Sequence, residues 1–178
     1  MWVQKLLDFT GWESLEIQED WDRVEEELQC ALPDDYKELY RVFGGGVFGD
    51  AVFFYGRDEN AVFDLMTQWR VALSTDRAYA EDGVFMMEPY SVYAPGGEGL
   101  LQWGATEWGD QYFWLLDAKN PGVYPVLARA EGSDEWKRYD VSTAEFLARV
   151  LSDAEFQPFG VSRYSLDPSF SYGSDPEA

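Results

Sequence analysis

The chain has 178 residues, of which 34 are acidic and 13 basic, and this gives a formal net charge of −21. Hydrophobic residues make up 46% of the chain and aromatic residues 17%, so the sequence can fill a core and is not disordered throughout. The absence of histidine excludes a Ser-His or Cys-His nucleophile pair and a histidine-ligated zinc site. A single cysteine, Cys30, excludes an internal disulfide and a thiolate metal cluster.

The acidic charge limits the kinds of partner that can be expected. Nucleic acid is not an expected partner, because a polyanion requires a basic face that this chain has few residues to build. The acidity fits three interpretations: plain solubility, adaptation to high salt, or a surface made for a basic partner.

The first 20 residues contain one lysine and no apolar stretch of even seven residues. They predict neither a secretory signal nor a membrane span, and we expect a cytoplasmic protein.

Two amphipathic helices are predicted near the start of the chain. Over residues 17–28 the apolar side chains recur with helical spacing. A second helix is predicted over residues 33–43, because Pro33 suits a first helical position and two acids follow it. Gly44 stands where a left-handed cap is expected. The predicted buried stripes consist of Ile17, Trp21, Val24 and Leu28 in the first helix and of Leu32, Tyr36, Leu39, Tyr40 and Phe43 in the second.

The middle of the chain predicts mostly β structure. A short strand is predicted over residues 51–55, followed by a helix over residues 60–73 with Asn60 as its cap. Beyond them, apolar segments separated by turn residues predict six strands. Pro125 would disrupt an interior ladder, so its strand is predicted to lie at an edge or to carry a bulge. The six predicted strands cover residues 83–88, 91–94, 99–103, 111–117, 123–129 and 135–140.

The last predicted helix has a clear start signal. Ser142 and Glu145 form a capping box, and Val141 and Phe146 flank it as a hydrophobic staple. Residues 153–178 have scattered prolines and no periodicity, and they predict a tail that is flexible or drapes over the domain. The order of the elements predicts an α+β domain over residues 1–152, with N-terminal helices, a mostly antiparallel sheet and a closing C-terminal helix.

No pattern for catalysis emerges from the residues. Gly44, Gly46 and Gly49 have the spacing of a dinucleotide-binding loop, but they end a helix and enter a strand, which is the reverse of the required order. Neighbouring acids match neither the two-carboxylate arrangement of glycosidases nor a calcium-binding loop. We therefore predict a protein that is not an enzyme and that binds no metal or cofactor.

Two segments are candidates for contacting a partner. Residues 13–35 contain ten acids and one basic residue, and this run on a short helix pair predicts a docking surface for a cationic protein. Glu19, Asp22 and Glu26 are predicted to lie on its solvent-exposed face. In the turn between two predicted strands, Trp108 is a candidate interface anchor. Its neighbours in that candidate contact are Glu107 and Asp110.

The order of motifs resembles the SUKH superfamily over residues 17–151. A helix that carries tryptophan and glutamate leads into LPDDYKELYRVFGGG, a Gly-Asp turn and an apolar strand. Further along come LLQWGATEWGDQYFWLLD, VYPVLAR and a helix whose STAEFLARVL corresponds to the usual S-x-x-EFL. The family motif positions, which look structural, are Trp21, Leu32, Pro33, Tyr36, Gly44, Gly45 and Gly49.

The resemblance implies a non-catalytic α+β domain. Members of the superfamily include bacterial immunity proteins, which mostly neutralise toxins, and a yeast cell-wall-assembly regulator. The expected function is therefore neutralisation of a cognate toxin, such as a nuclease, by direct binding through an acidic surface. The expected partner is a basic protein toxin encoded nearby, and no membrane partner is expected. The alternative is a regulatory or scaffold module of the same fold that recognises a cellular protein.

Overall fold

The computed structural model describes residues 1–156, 158 and 167–173. Within these residues the chain forms five helices and one seven-stranded antiparallel sheet, which confirms the predicted α+β class. The elements in chain order are α1 Trp2–Thr10, α2 Trp21–Leu28, α3 Asp34–Phe43, β1 Gly46–Phe48, β2 Val52–Phe54, α4 Leu65–Glu81, β3 Glu98–Thr106, β4 Asp110–Asp117, β5 Val126–Ala130, β6 Lys137–Tyr139, α5 Thr143–Ser152 and β7 Phe170–Tyr172.

The sheet has the strand order β6-β5-β4-β3-β2-β1-β7. Its longest pair is the hairpin β3–β4, in which Leu101 lies opposite Trp114. The register shifts between Gln102 and Gly104, so the hairpin contains an irregularity of the bulge type. Because successive strand residues point to opposite faces, this pairing directs one set of aromatic side chains to each side of the sheet.

The main core lies between the helices and one face of the sheet. Trp103 and Trp114 are fully buried there and stack with 6.0 Å between ring centroids. Phe146 of α5 meets the Trp103 ring edge-on at 5.7 Å, and Tyr36 of α3 meets Trp114 at 4.8 Å. On the other face, Leu100, Phe113 and Leu127 form a smaller buried cluster. Helices and sheet are therefore joined mainly through aromatic contacts.

Local capping signals determine where the early helices begin. The first predicted helix starts at Trp21 rather than at residue 17, because Asp20 caps it by accepting a hydrogen bond from the Arg23 amide. Residue 17 is instead held by a backbone hydrogen bond to the carbonyl of Arg41, at 2.9 Å. Pro33 directly precedes α3.

Helix α4 differs most from its prediction. It covers Leu65–Glu81 instead of residues 60–73, and Asp64 rather than Asn60 is its cap. The Asp64 carboxylate accepts hydrogen bonds from the Thr67 amide at 2.9 Å and from the Thr67 hydroxyl at 2.6 Å. Because the Asp64 carboxylate accepts both hydrogen bonds, it caps the helix and α4 begins at Leu65.

The segment between α4 and β3 contains no strand, although two were predicted there. Residues 83–88 form turns, and residues 91–94 contain only an isolated bridge between Val92 and Leu100. Met87 and Tyr90 pack against the smaller cluster on the outer face of the sheet. Met87 and Tyr90 therefore cover the outer face of the sheet instead of joining a strand.

Pro125 lies immediately before β5, and the prediction of an edge strand or a bulge is wrong. Strand β5 begins at Val126 and pairs with β4 on one side and β6 on the other. The proline carbonyl accepts a hydrogen bond from the Leu115 amide at 3.2 Å. Because Pro125 lies at the end of the β4–β5 pairing, its missing amide proton leaves the interior hydrogen bonds of the ladder intact.

The end of the described chain returns to the sheet, so helix α5 is not the closing element. Strand β7 pairs antiparallel with β1, with Phe170 opposite Phe48. The Phe170 ring lies 5.0 Å from the ring of Phe43 and 4.6 Å from that of Phe48. The tail predicted over residues 153–178 thus includes a short strand that adds an aromatic side chain to the main core.

Ser142→Ala should lower the free energy of unfolding by about 1 kcal/mol. The Ser142 hydroxyl accepts a hydrogen bond from the Glu145 amide at 3.2 Å, as the capping signal predicts, and alanine has no such acceptor. Urea unfolding measures the difference. The control is Ser74→Ala, because Ser74 is exposed inside α4 and caps nothing. A Ser142→Ala protein as stable as the control would contradict the role of the cap.

Candidate protein-binding surface

The motif residues of the first helix pair are structural. Trp21 meets the ring of Tyr36 edge-on at 5.6 Å and that of Tyr40 at 5.2 Å. Tyr36 is fully buried, and its hydroxyl donates a hydrogen bond to the carbonyl of Tyr55 at 2.9 Å. Leu32 is buried in the same core. These contacts fix the angle between α2, α3 and the sheet, and so they position the acids carried by α2.

The motif glycines allow the chain to turn from α3 into the sheet. Gly44 has φ 71° and ψ −167°, so it has the predicted positive φ without the left-handed helical conformation. A side chain at Gly44 would overlap the ring of Tyr172. Gly45 lies against the backbone of Gly56, and Gly49 has φ 57° in the turn between β1 and β2. Their role is to permit close packing and a left-handed turn.

Most acids of the run from residue 13 to 35 are used within the molecule. Glu16 pairs with Arg41, Glu25 with Lys37, and Glu27 with Arg70. The Asp35 carboxylate accepts a hydrogen bond from the Ala144 amide at 2.7 Å and so ties α3 to α5. The sequence did not reveal these pairings, because the partners are far away along the chain. The docking surface is therefore smaller than the run of acids suggests.

Three acids of the run remain exposed and unpaired. In the described part of the chain, no side chain forms a hydrogen bond or an ion pair with the carboxylates of Glu13, Asp22 and Glu26. Asp22 and Glu26 lie on the outer face of α2, as predicted. Glu19 is only half-exposed, and its carboxylate accepts a hydrogen bond from the Asp20 amide at 3.2 Å. Asp22 and Glu26, one helical turn apart, are the part of this surface that is free to attract a cation.

An ion pair connects the edge of this surface to α4. The Arg70 guanidinium donates two hydrogen bonds to the Glu27 carboxylate, at 2.7 and 2.6 Å. These hydrogen bonds lower the pKa of Glu27, although slight burial acts in the opposite direction. Nearby, burial alone would raise the pKa of Asp64, but hydrogen bonds from Thr67 and the charge of Arg57 lower it overall. Both carboxylates therefore stay ionised but are already engaged.

The turn between β3 and β4 presents one of its three candidate residues fully to solvent. Glu107 is exposed, whereas Trp108 is half-buried and packs against the main core. Asp110 is buried, and its carboxylate accepts a hydrogen bond from the Thr106 hydroxyl at 3.2 Å. Asp110 therefore stabilises its own turn, and Trp108 is only partly available to a partner.

A second surface was not predicted from the sequence. The α4 groove, a depression of about 490 Å³, separates the C-terminal half of α4 from the outer face of the sheet. The prediction of a strand at residues 83–88 concealed it, since those residues form one of its walls. The residues that characterise this groove are Thr75, Asp76, Tyr79, Phe85, Met86 and Asp134.

The part of the chain that the structure describes contains neither a group of metal-binding side chains nor a helix fit to span a membrane. No three His, Cys, Asp or Glu side chains lie close enough together there to hold a metal ion. No helix in the same residues combines the length and the apolar character needed to cross a bilayer.

Comparison with known proteins places this arrangement in a family. The model of the SMI1 / KNR4 family (SUKH-1) matches residues 18–149, a range that begins just before α2 and ends within α5. Searches of curated proteins and of solved structures found no match. The matched range contains the helix pair, the motif glycines and the six strands from β1 to β6. The chain therefore belongs to the SMI1/KNR4 (SUKH-1) family.

Proposed function

We propose that the chain is an immunity protein that neutralises a cognate bacterial toxin by binding to it directly in the cytoplasm. The observation that carries the proposal is membership of the SUKH-1 family, because the SUKH superfamily includes immunity proteins. The net charge of −21 supports it as well. A toxin that acts on nucleic acid needs a basic cleft for phosphates. An acidic protein complements such a cleft.

The mode of action that we propose is occlusion rather than catalysis. Asp22 and Glu26 project from α2 and are not neutralised by a neighbour in the described part of the chain. Charges of this kind act at long range and raise the rate of encounter with a basic partner. The aromatic contacts of Trp21 with α3 hold the helix that carries them. A rigid acidic surface loses little entropy when it docks.

The double variant Asp22→Lys/Glu26→Lys should bind the toxin encoded by the neighbouring gene at least about tenfold more slowly than the wild type. The wild-type association rate should exceed the ~10⁵–10⁶ M⁻¹s⁻¹ of a neutral pair. Raising the salt from 0.1 to 1 M should reduce the difference, because the Debye length falls from about 10 Å to about 3 Å. Stopped-flow or surface-based kinetics at the two salt concentrations gives these rates.

The control is Glu155→Lys/Asp167→Lys, which changes the net charge by the same amount at two exposed positions outside α2. It should slow association less than the α2 variant does. If both double variants associate equally fast at 0.1 M salt, the α2 surface does not steer the toxin. If the wild type binds no product of the neighbouring gene, the alternative of a regulatory module that recognises a cellular protein becomes the better explanation.

A further inference from the structure

Helix α4 extends well beyond the core that supports its first turns. Of its 17 residues only Leu65, Met66 and Trp69 are buried, and all three lie in its first five positions. The remaining residues include Val71 and Tyr79, both exposed. Most helices in proteins are stabilised by packing of an apolar face. The C-terminal part of α4 therefore presents apolar side chains that the described chain does not cover.

The turn after α4 adds further exposed apolar side chains on an anchored backbone. Phe85 is 57% exposed and Met86 is 53% exposed. The Val84 amide donates a hydrogen bond to the Tyr79 carbonyl at 2.9 Å, and the Arg129 guanidinium donates one to the Met86 carbonyl at 2.9 Å. The turn is thus fixed at both ends while its side chains face solvent. Exposed apolar patches of this type mark interaction sites.

Arg129 forms part of the floor of the groove and is fully engaged. Its guanidinium lies over the Trp136 ring, 4.7 Å from the centroid, and donates a hydrogen bond to the Gln111 side chain at 3.0 Å. Burial lowers the pKa of Arg129, and the charges of Asp134 and Glu131 oppose that effect. This arginine is therefore committed to holding the floor and the apolar turn together.

The rim of the groove is acidic. Asp76, Glu131 and Asp134 line it, and none of them forms an ion pair or a side-chain hydrogen bond with another residue in the described part of the chain. Among the described lining residues Arg129 is the only cation. An apolar surface edged with unpaired carboxylates complements a segment that carries an apolar side chain between basic residues.

We infer that the α4 groove binds a cationic segment of the cognate toxin, with an apolar or aromatic side chain seated against Tyr79, Phe85 and Met86 and flanking Lys or Arg side chains at the acidic rim. This inference rests on the proposed function and assigns it a second contact surface. Aromatic and methionine side chains are enriched in the centres of interfaces, where they determine the lifetime of a complex. The groove anchors the toxin, whereas the α2 acids speed its approach.

The test uses two double variants of the full chain and the toxin encoded by the neighbouring gene. Tyr79→Ser/Phe85→Ser should weaken binding about 30-fold or more, mainly through faster dissociation. Glu131→Lys/Asp134→Lys alters only exposed side chains and should weaken binding about tenfold or more. The matched control is Val62→Ser/Val123→Ser, which removes two exposed apolar side chains elsewhere and should leave the affinity unchanged. Circular dichroism and thermal melting of each variant check that it folds.

The outcomes separate this inference from the proposed function. If the wild type binds the toxin and both groove variants bind with wild-type affinity, the groove is not the contact surface, although the proposed function stands. If the wild type does not bind the toxin, both proposals fail. Sedimentation of the wild type and of Tyr79→Ser/Phe85→Ser detects self-association. A wild-type dimer that the groove variant abolishes would show that the groove binds a second copy, and this result would overturn the inference.

Discussion

Replacing Leu39 by alanine is expected to lower the free energy of unfolding by about 2–5 kcal/mol. Leu39 is fully buried in the main core, on the side of α3 that also carries Tyr36 and Phe43. The shorter side chain loses its transfer free energy and leaves a cavity that closely packed aromatic rings close only in part. Urea unfolding followed by tryptophan fluorescence measures the change.

The matched control is Leu15→Ala, the same chemical change at a position that is 40% exposed. Its loss of stability should be clearly smaller, because less apolar surface is lost and no closed cavity forms. Equal losses for Leu39→Ala and Leu15→Ala would mean that α3 does not present Leu39 to the core.

Phe170→Ala is expected to cost about 3–5 kcal/mol, although Phe170 lies 18 residues beyond the end of α5. Its ring contacts those of Phe43 and Phe48 and meets the Trp12 ring at 4.9 Å. Edge-to-face contacts of this kind add to the effect of burial. The loss should also detach β7, because the Phe170 side chain is the buried residue of that strand.

Phe9→Ala provides the comparison for Phe170→Ala, since Phe9 is exposed on α1. The Phe170 variant should unfold at a clearly lower urea concentration than the Phe9 variant. Two variants with the same midpoint would show that the end of the chain contributes nothing to the core. In that case residues 1–152 would fold without a contribution from the tail.

Elements with local signals were predictable from the sequence. Helix α5 begins at Thr143 because Ser142 caps it, and α3 carries the predicted buried stripe with Leu39 and Tyr36. Strands β3 and β4 follow the alternation of apolar residues around a glycine turn. In each of these cases, the residues that define the element lie within a few positions of one another, so their spacing carries the information.

Elements that depend on distant partners were not predictable. Strand β7 has three residues and pairs with β1, which lies more than 120 positions earlier in the chain, for example Tyr172 with Gly46. Residues 83–88 have the composition of a strand, but they form turns, and of their side chains Met87 packs on the outer face of a sheet that later residues build. The spacing of apolar residues along the sequence does not distinguish a strand from an apolar segment that packs on the face of a sheet.

The candidate site was predicted in part for the same reason. The exposure of Asp22 and Glu26 follows from helical periodicity, because they lie opposite the stripe of Val24 and Leu28. The neutralisation of Glu27 by Arg70 depends on two helices meeting in space, and 43 positions separate the two residues. Burial of Asp110 depends on the geometry of a hairpin turn. The α4 groove requires three elements that only the folded chain brings together.

The central claim is that this chain neutralises a toxin by binding to it. The most direct test is a titration of the purified toxin from the neighbouring gene with the purified full chain, followed by an assay of toxin activity. We predict that activity falls in proportion to the protein added and disappears at a fixed molar ratio, and that the two proteins elute together from a sizing column. Full toxin activity in a molar excess of the chain, with separate elution of the two proteins, would contradict the claim.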